Sequence, residues 1–211
     1  MYIPEAFREN DPAALHAMME AVGLATFVTA TAEGPLATPM PLLFAADEGP
    51  HGTLYGHLAR GNPQWRAPVI GEALAIFAGA DAYVSPSWYA AKREHGKVVP
   101  TWNYERVEAR GTAEFFDDPQ CLLALVTALT DRHEQGRPQP WAVADAPAEF
   151  VAALLAGIVG IRMPVSRLEG KRKLSQNRPA ADRTGVAAGL AASAREEDRR
   201  IAHAMAALEK T

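Results

Sequence analysis

Short apolar and β-branched segments crowd the first half of this 211-residue chain, and turn residues rather than helices separate them. The segments cover residues 24–31, 36–44, 52–58 and 73–78, with glycine, proline or aspartate between them. A doubly wound fold needs strands that alternate with helices, so this order disfavours a Rossmann-type domain. Strands that follow one another directly predict an α+β domain built on an antiparallel barrel.

Two more strands are predicted further along the chain. Residues 107–115 alternate strictly, so that the apolar residues from Val107 to Phe115 share one face while Glu108 and Arg110 lie on the other. This pattern predicts a long, half-exposed strand. The apolar stretch at 158–163 predicts a final strand.

Two helices are predicted from apolar residues at helical spacing between recognisable ends. Asp11-Pro12 begins the first, which Gly23 ends, and Asp118-Pro119 begins the second, which Gly136 ends. Aspartate at the N-cap followed by proline is a favoured helix start, and glycine commonly ends a helix.

Two further helices are predicted nearer the C-terminus. The first covers residues 147–156, with four side chains expected inward: Phe150, Val151, Leu154 and Leu155. The second occupies residues 193–209, where Ser193 and Glu196 have capping-box spacing. Its apolar stripe consists of Ile201, Met205 and Leu208.

Composition narrows the class of protein. Hydrophobic residues make up 48% of the chain, and folding can bury roughly 70% of the extended surface, so a disordered chain is excluded. The single cysteine, Cys121, excludes an intrachain disulfide and points to a reducing compartment. No apolar run reaches the roughly 18–20 residues that span a bilayer, and no secretory signal is visible at the N-terminus. We therefore expect a cytoplasmic protein without a membrane segment.

Charge is distributed unevenly along the chain. The formal net charge is -4, which is not the footprint of a duplex-DNA-binding protein. Residues 1–56 are strongly acidic, whereas residues 162–178 hold six basic residues and one acidic residue. A basic run on an acidic protein indicates a local anion site, although a solvated cationic loop has the same composition.

Four segments combine polar side chains with aromatic ones. GHLARGNPQW (56–65) places His57, Arg60 and Asn62 at a strand end and its turn, where an arginine and backbone N–H groups suit a phosphate. The others are YVSPSWY (83–89), VPTWNY (99–104) and EGKRKLSQNRP (169–179). Without further context, the first segment is better explained as a strand-end turn with a surface arginine. The aromatic residues of the second could simply pack together, and the fourth could be a solvated loop.

Several common chemistries have no signature in the sequence. There is no glycine-rich phosphate loop and no GxSxG nucleophile motif. The six histidines are scattered without metal-ligand spacing, so no metal site is predicted. Cys121 fits a packing role better than a nucleophile, and no catalytic residue is identified.

Together these segments resemble the PaiB-type family of FMN-binding negative transcriptional regulators. The resemblance runs from Met1 to about residue 190. It rests on MYIPEAFRENDPAALHAMM, GHLARGNPQW, DAYVSPSWY, KVVPTWNY, LTDRHE, PWAV and RLEGKRKLSQNRP, in that order. Arg172 departs from it, since the family often carries an aromatic residue there, which puts a stacking role at this position in doubt.

The resemblance implies a split β-barrel of the flavin-reductase and pyridoxamine-phosphate-oxidase kind with peripheral helices. It implies one FMN-binding domain over residues 1–190, a C-terminal amphipathic helix over 191–211 packed on that domain or on a partner, and a homodimer with FMN at the subunit interface. The implied cofactor-binding residues are Thr38, His57, Arg60, Asn62, Trp102, Asn103, Tyr104, Lys171, Lys173, Ser175, Gln176 and Asn177.

Three functions stay open at this point. The first is the FMN-binding transcriptional regulator that the resemblance implies, although no helix-turn-helix is visible and the charge does not support direct DNA binding. The second is a flavin-dependent oxidoreductase that uses NAD(P)H, since the flavin itself supplies the chemistry. The third, more remote, is a haem-handling split barrel with His57 as the ligand.

Overall fold

The computed structural model describes residues 1–208, which contain nine strands and six α-helices. The strands are β1 (Arg8–Glu9), β2 (Ala25–Thr31), β3 (Gly34–Met40), β4 (Leu43–Ala45), β5 (Thr53–Ala59), β6 (Ala73–Val84), β7 (Thr101–Gly111), β8 (Glu114–Phe116) and β9 (Ile158–Lys173). The helices are α1 (Pro12–Glu20), α2 (Ala90–Glu94), α3 (Pro119–Glu134), α4 (Ala148–Leu155), α5 (Ala180–Ala191) and α6 (Glu196–Leu208). Short 3-10 helices lie at Glu5–Phe7, Pro63–Trp65, Pro86–Trp88 and Val143–Asp145.

The strands form one sheet in the order β3-β2-β6-β7-β9-β5-β4, and β1 and β8 also pair with β9. Strand β2 is antiparallel to both β3 and β6, and β5 is antiparallel to both β4 and β9. Antiparallel pairing needs no helical crossover, which is why the strands can follow one another so closely in the sequence. The predicted α+β class is confirmed.

The chain divides into two compact units. The terminal unit comprises residues 1–21, 78–107 and the chain from residue 169 onward, and the central unit comprises residues 22–77 and 108–168. Each unit is assembled from separated segments, so no boundary in the linear sequence marks the division. The domain boundary expected at residue 190 stays a prediction.

Helices α5 and α6 pack together in the terminal unit. Their buried side chains, with neighbours from other segments, form one apolar cluster that includes Tyr89, Leu174, Val186, Leu190, Ile201 and Met205. The predicted helix at the C-terminus and its stripe of Ile201 and Met205 are therefore confirmed, with Leu208 partly buried against the cluster. Residue 209, which ends the predicted range, lies outside the described residues.

The predicted capping box at the start of α6 is wrong. The helix begins at Glu196, and that residue's carboxylate pairs with Arg200 at 2.6 Å. The Ser193 hydroxyl instead donates to the Asp198 carboxylate at 2.7 Å and accepts the Arg195 N–H at 3.2 Å. Ser193 lies too far before the first helical turn for the reciprocal arrangement, so the cap forms with a different acid.

The central unit buries Phe27, Leu54, Leu58, Leu122 and Ile161 almost completely. The predicted start of α3 is confirmed, because the Asp118 carboxylate accepts the N–H groups of Gln120 and Cys121 at 3.0 and 2.9 Å. These bonds to the charged carboxylate lower the pKa of Asp118. The packing role predicted for Cys121 is wrong, because this residue lies on the exposed side of the first turn of α3.

The inward orientation predicted for α4 is wrong in part. Leu155 is buried and Val151 is partly buried, but Phe150 and Leu154 are 56% and 58% exposed. Helical spacing predicts which side chains share a face, and here that face borders an open cavity rather than a packed layer.

Two predicted strands are interrupted. Residues 36–44 form β3 and β4 with a break at 41–42, where Pro41 has no N–H for the ladder. The strand predicted over 107–115 instead starts at Thr101 and breaks after Gly111, and Glu108 on its polar face is buried beside Arg110, at 3.7 Å. Helix α5 was not predicted, because alanine and glycine give its sequence little apolar periodicity.

Gly185 in α5 offers a test of this packing, because a Cβ there would overlap the Trp88 carbonyl oxygen. Alanine is favoured over glycine in a helix by about 1 kcal/mol, but overpacking against backbone costs about 1–3 kcal/mol. We expect Gly185→Ala to lower the free energy of unfolding by about 1–2 kcal/mol in urea denaturation. Gly23→Ala, where a Cβ meets nothing within 4 Å, should change it by less than about 0.5 kcal/mol. A Gly185→Ala protein as stable as the wild type would contradict the close packing.

Candidate functional site

Strand β9 sorts the basic run into two faces. Successive side chains of a strand point to opposite sides, so Lys171 and Lys173 share one face and Arg172 lies on the other. The Arg172 guanidinium is paired with the carboxylates of Glu105 at 2.8 Å and Glu9 at 3.6 Å. Arg172, where the sequence departs from the family pattern, is therefore a neutralised structural arginine.

Lys171 is nearly buried, with 7% of its surface exposed. Its ammonium donates to the Tyr2 carbonyl at 3.2 Å and lies 5.1 Å from the centre of the Tyr104 ring. It has no carboxylate within ion-pair distance among residues 1–208. A buried cation held only by a carbonyl and by ring faces is costly unless an anion joins it.

Lys173 lies on the same face two residues later. Its ammonium donates to the Thr101 hydroxyl at 2.6 Å and to the Trp102 carbonyl, and it lies 6.0 Å from the centre of the Tyr104 ring. Burial lowers the pKa of Lys173, and the nearby charges of Lys171 and Arg178 lower it further. The two ammonium groups therefore repel each other, and an anion between them would relieve that repulsion. We call Lys171 and Lys173 the lysine pair. Tyr104 is the aromatic ring that lies beside both ammonium groups.

The turn after β9 holds its shape through polar side chains. Ser175 adopts a positive φ of 65°, which is uncommon for a residue other than glycine. Its buried hydroxyl donates to the Asn103 side-chain oxygen at 3.1 Å, and the fully buried Asn103 contacts the Met205 sulfur at 3.6 Å. Asn103 and Ser175 therefore stabilise each other beneath the surface.

The next two predicted residues differ in their contacts. The Gln176 side chain accepts the Leu174 N–H at 2.7 Å and donates to the Arg172 carbonyl, so it closes the turn. Asn177 is exposed. A direct role of these amides in cofactor binding stays a prediction.

An exposed aromatic pair lies on the same unit. Trp102 and Tyr83 are 50% and 45% exposed, and their rings meet edge to face with centroids 5.9 Å apart. Because Lys173 bonds to the Trp102 carbonyl, this pair adjoins the lysine pair. Exposed aromatic surface beside two neighbouring ammonium groups suits a planar, negatively charged ligand or a protein partner.

In the central unit, Thr38 and Asn62 meet around a buried glutamine. The Asn62 amide donates to the Thr38 hydroxyl at 2.9 Å, and that hydroxyl donates to the Gln64 side-chain oxygen at 2.6 Å. Gln64 is 1% exposed, and its amide nitrogen donates to the Thr29 hydroxyl and to the carbonyls of Phe27 and Leu36. Sequence reasoning missed Gln64, although its position in NPQW, two residues after the capping Asn62, was a signal.

Arg60 is largely engaged by the protein. Its guanidinium donates to the Ala156 carbonyl at 2.7 Å and the Ile158 carbonyl at 3.1 Å, and it reaches the Asp117 carboxylate at 3.4 Å. This side chain fastens the start of β9 to the turn after β5. Its predicted contact with a phosphate stays a prediction.

His57 faces an apolar cavity of about 320 Å³. Burial lowers the pKa of His57, so its imidazole is neutral at pH 7. The predicted site residues thus form two groups. Thr38, His57, Arg60 and Asn62 belong to the central unit, and the other eight belong to the terminal unit.

Metal-binding clusters and membrane-spanning helices are both absent from residues 1–208. No group of three or more histidine, cysteine, aspartate or glutamate residues there could hold a metal ion. In that same part of the chain, no helix combines the length and apolar character needed to cross a bilayer.

Comparison with known proteins adds a family and a fold. A family described as "Putative FMN-binding domain" matches residues 1–167. "Protease synthase and sporulation protein PAI 2" of Bacillus subtilis is 34% identical over 187 residues, which cover 88% of this chain and 87% of that protein.

Two solved structures show the same fold. The flavocytochrome Anf3 from Azotobacter vinelandii has a TM-score of 0.55 at 15% identity, covering 79% of this chain and 69% of its own. An FAD and heme binding protein from Mycobacterium smegmatis has a TM-score of 0.56 at 18% identity, covering 86% of this chain and 80% of its own. The predicted split-barrel fold is confirmed. Sequence identities this low show a shared fold and nothing about shared function.

Replacing Gln64 tests whether its network supports this region. Gln64→Leu keeps the volume but removes the glutamine's hydrogen bonds to the buried Thr29 hydroxyl, the partly buried Thr38 hydroxyl and two carbonyls. Unsatisfied buried groups cost about 1–3 kcal/mol, so we expect the free energy of unfolding to fall by about 2–3 kcal/mol in urea denaturation. Gln120→Leu, at an exposed position, should shift it by less than about 0.5 kcal/mol. Equal losses in the two variants would show that the network contributes nothing.

Proposed function

Since this chain belongs to the family of FMN-binding domains, we propose that it is a PaiB-type protein that holds the FMN phosphate at the lysine pair. The family resemblance and the FMN cofactor inferred from the sequence are confirmed by the family match and the 34% identical relative. The choice of residues that hold the cofactor is our proposal. Lys171 and Lys173 lie just beyond the matched residues 1–167.

One observation carries the proposal: two lysine ammonium groups share a face of β9 without a carboxylate partner among the described residues. Elsewhere on this strand, the basic residues Arg162 and Arg172 are paired with Glu114 and Glu105, both at 2.8 Å. Evenly neutralised charges would indicate a structural or solvated run. Leaving two neighbouring cations unpaired in a partly buried site favours a dianionic ligand such as a phosphate.

The residues around the lysine pair fit the rest of a flavin nucleotide. Tyr104 and the exposed Trp102 offer ring faces and edges to a planar heterocycle. Ser175 and Gln176 hold the turn that follows β9 and so fix where Lys173 presents its ammonium. When bound, FMN supplies electron- and hydride-transfer chemistry.

We also propose that the flavin-bound protein acts as a negative transcriptional regulator, as the family resemblance implies. Direct binding to duplex DNA has little electrostatic support. The net charge is -4, and within the basic run Arg162 and Arg172 are already neutralised by carboxylates. The proposal therefore favours regulation through another protein over regulation through direct DNA contact.

The double substitution Lys171→Met, Lys173→Met tests the phosphate site. It keeps the apolar stems but removes both charges. Charge-assisted hydrogen bonds contribute about 1.5–3 kcal/mol each, and 1.4 kcal/mol corresponds to tenfold in affinity. We expect FMN to bind at least about tenfold more weakly, as measured by flavin fluorescence titration, while riboflavin binding changes little.

Lys92→Met is the matched control, because it removes one exposed lysine charge from the same unit. Its FMN affinity should equal that of the wild type. Wild-type protein that binds FMN and riboflavin equally would contradict a phosphate site. A double variant that keeps FMN but loses salt-dependent DNA binding would reassign the lysines to nucleic acid.

The lowered pKa of Lys173 predicts a pH dependence of FMN affinity. The phosphate is a dianion above roughly pH 7, since its second pKa is about 6, and it needs a protonated lysine. As the pH rises through the lowered pKa of Lys173, the ammonium is lost and the dissociation constant for FMN should rise.

Isothermal titration between about pH 7 and the usual lysine pKa near 10.4 measures this rise. Riboflavin controls for titration of the shared ring system. In Lys173→Met the difference between FMN and riboflavin should no longer change with pH. If the difference between FMN and riboflavin affinity does not change with pH in the wild-type protein, Lys173 does not contact the phosphate.

We propose that the protein is a homodimer with FMN at the subunit interface. The exposed Tyr83–Trp102 pair beside the lysine pair supports a surface that a second copy could cover. Light scattering at micromolar concentration should give twice the 22.7 kDa chain mass. Trp102→Ala should weaken the dimer more than the equally drastic Trp141→Ala. A monomer mass for the wild type would overturn this proposal.

A further inference from the structure

The cavity next to His57 has walls that differ chemically from the lysine pair. Its volume is about 320 Å³, and no lysine, arginine, aspartate or glutamate among the described residues lines it. Its walls come from α3, α4, the 3-10 helix at Val143–Asp145, the end of β5, the start of β9 and the loop residues Trp141 and Ala146, all within the central unit. Its apolar lining includes Val126, Trp141, Phe150, Leu154 and Ile158.

Three large apolar side chains at this cavity are left exposed. Trp141, Phe150 and Leu154 are 48%, 56% and 58% exposed. Clustered exposed apolar side chains on a folded protein commonly mark a binding site. They border the cavity rather than a flat face, which favours a small ligand that the cavity can enclose.

Two polar groups point to what the ligand must offer. The imidazole of His57 and the hydroxyl of Thr130 both line the cavity, and neither has a hydrogen-bond partner within residues 1–208. Both side chains are only partly buried, so their hydrogen-bonding atoms are accessible to a molecule that enters the cavity. A neutral imidazole can donate through one nitrogen and accept through the other.

We propose that this cavity is a binding site for a small, neutral aromatic molecule that carries one hydroxyl or amide group, held by His57 and Thr130 and enclosed by Trp141, Phe150 and Leu154. A charged ligand would lose its hydration without a compensating partner in these walls. The volume lies at the lower end of the range of ligand pockets, which suits one or two fused rings. The residues of this site differ from those of the phosphate site proposed for FMN, and the proposal for the cavity does not depend on that site.

Fluorescence titration with 2-naphthol and with naphthalene tests the site directly. We expect saturable binding of one 2-naphthol per chain. Ala146→Phe, which fills the cavity, should weaken it at least about tenfold, corresponding to loss of a ring's contacts. Ala148→Phe is the matched control, because Ala148 lines only the adjoining cavity of about 450 Å³, whereas Ala146 lines both. It should bind the probe as the wild type does.

His57→Phe keeps the ring but removes both nitrogen atoms. The ratio of 2-naphthol affinity to naphthalene affinity should fall at least about threefold in this variant, because only the naphthol hydrogen-bonds to the imidazole. An unchanged ratio would remove His57 from the proposed site. Circular dichroism of each variant shows that it is folded, and FMN affinity should be unaffected by Ala146→Phe.

Four outcomes would overturn the proposal. Failure of 2-naphthol to saturate the wild-type protein, or equal binding by Ala146→Phe, would show that the cavity holds no such ligand. Displacement of 2-naphthol by FMN would assign the cavity to the flavin site. If the wild type takes no probe and Ala146→Phe changes the mass seen by light scattering, a second copy of the chain covers the cavity.

Discussion

The backbone hydrogen bonds of β9 are the interaction on which most of this structure depends. Residues 158–164 pair with β5, residues 160–162 with β8, and residues 170–171 with β1. A 16-residue strand fixes the side of every residue along it, because a shift of one residue would reverse all faces. That register places Lys171 and Lys173 together, and it turns Arg172 towards Glu105 and Glu9.

Electrostatics explains why the lysine pair stands out from the other basic residues. A surface arginine that is paired with a carboxylate contributes little to the free energy of folding. Two partly buried ammonium groups with only carbonyl, hydroxyl and ring neighbours raise the free energy of the folded state. The phosphate that we propose as the ligand would relieve this electrostatic cost, and such costs are common at functional sites.

Polar groups in the central unit serve two different purposes. Gln64 satisfies all its hydrogen-bonding capacity inside the protein, with Thr29, Thr38 and two carbonyls, and so it stabilises the fold. Within the described part of the chain, His57 and Thr130 leave theirs unused beside apolar walls. Gln64 and His57 would look alike in a hydrophobicity profile. Only their surroundings separate a structural glutamine from a candidate ligand-binding histidine.

The sequence by itself determined the α+β class, the strands without intervening helices, the Asp-Pro helix starts and the FMN-binding family, because these follow from local patterns and contiguous motifs. It could not determine that α4 exposes Phe150 and Leu154, that Glu108 is buried beside Arg110, or that Asp198 replaces the expected cap partner of Ser193. Tertiary structure decided these, because periodicity says which residues share a face but not what that face meets. For the same reason the sequence did not reveal the role of Gln64, and it did not show which basic residues of the run at 162–178 are paired with carboxylates. Whether a lysine has a carboxylate partner depends on residues such as Glu9 and Glu105, which are distant in sequence and become neighbours only when the sheet forms.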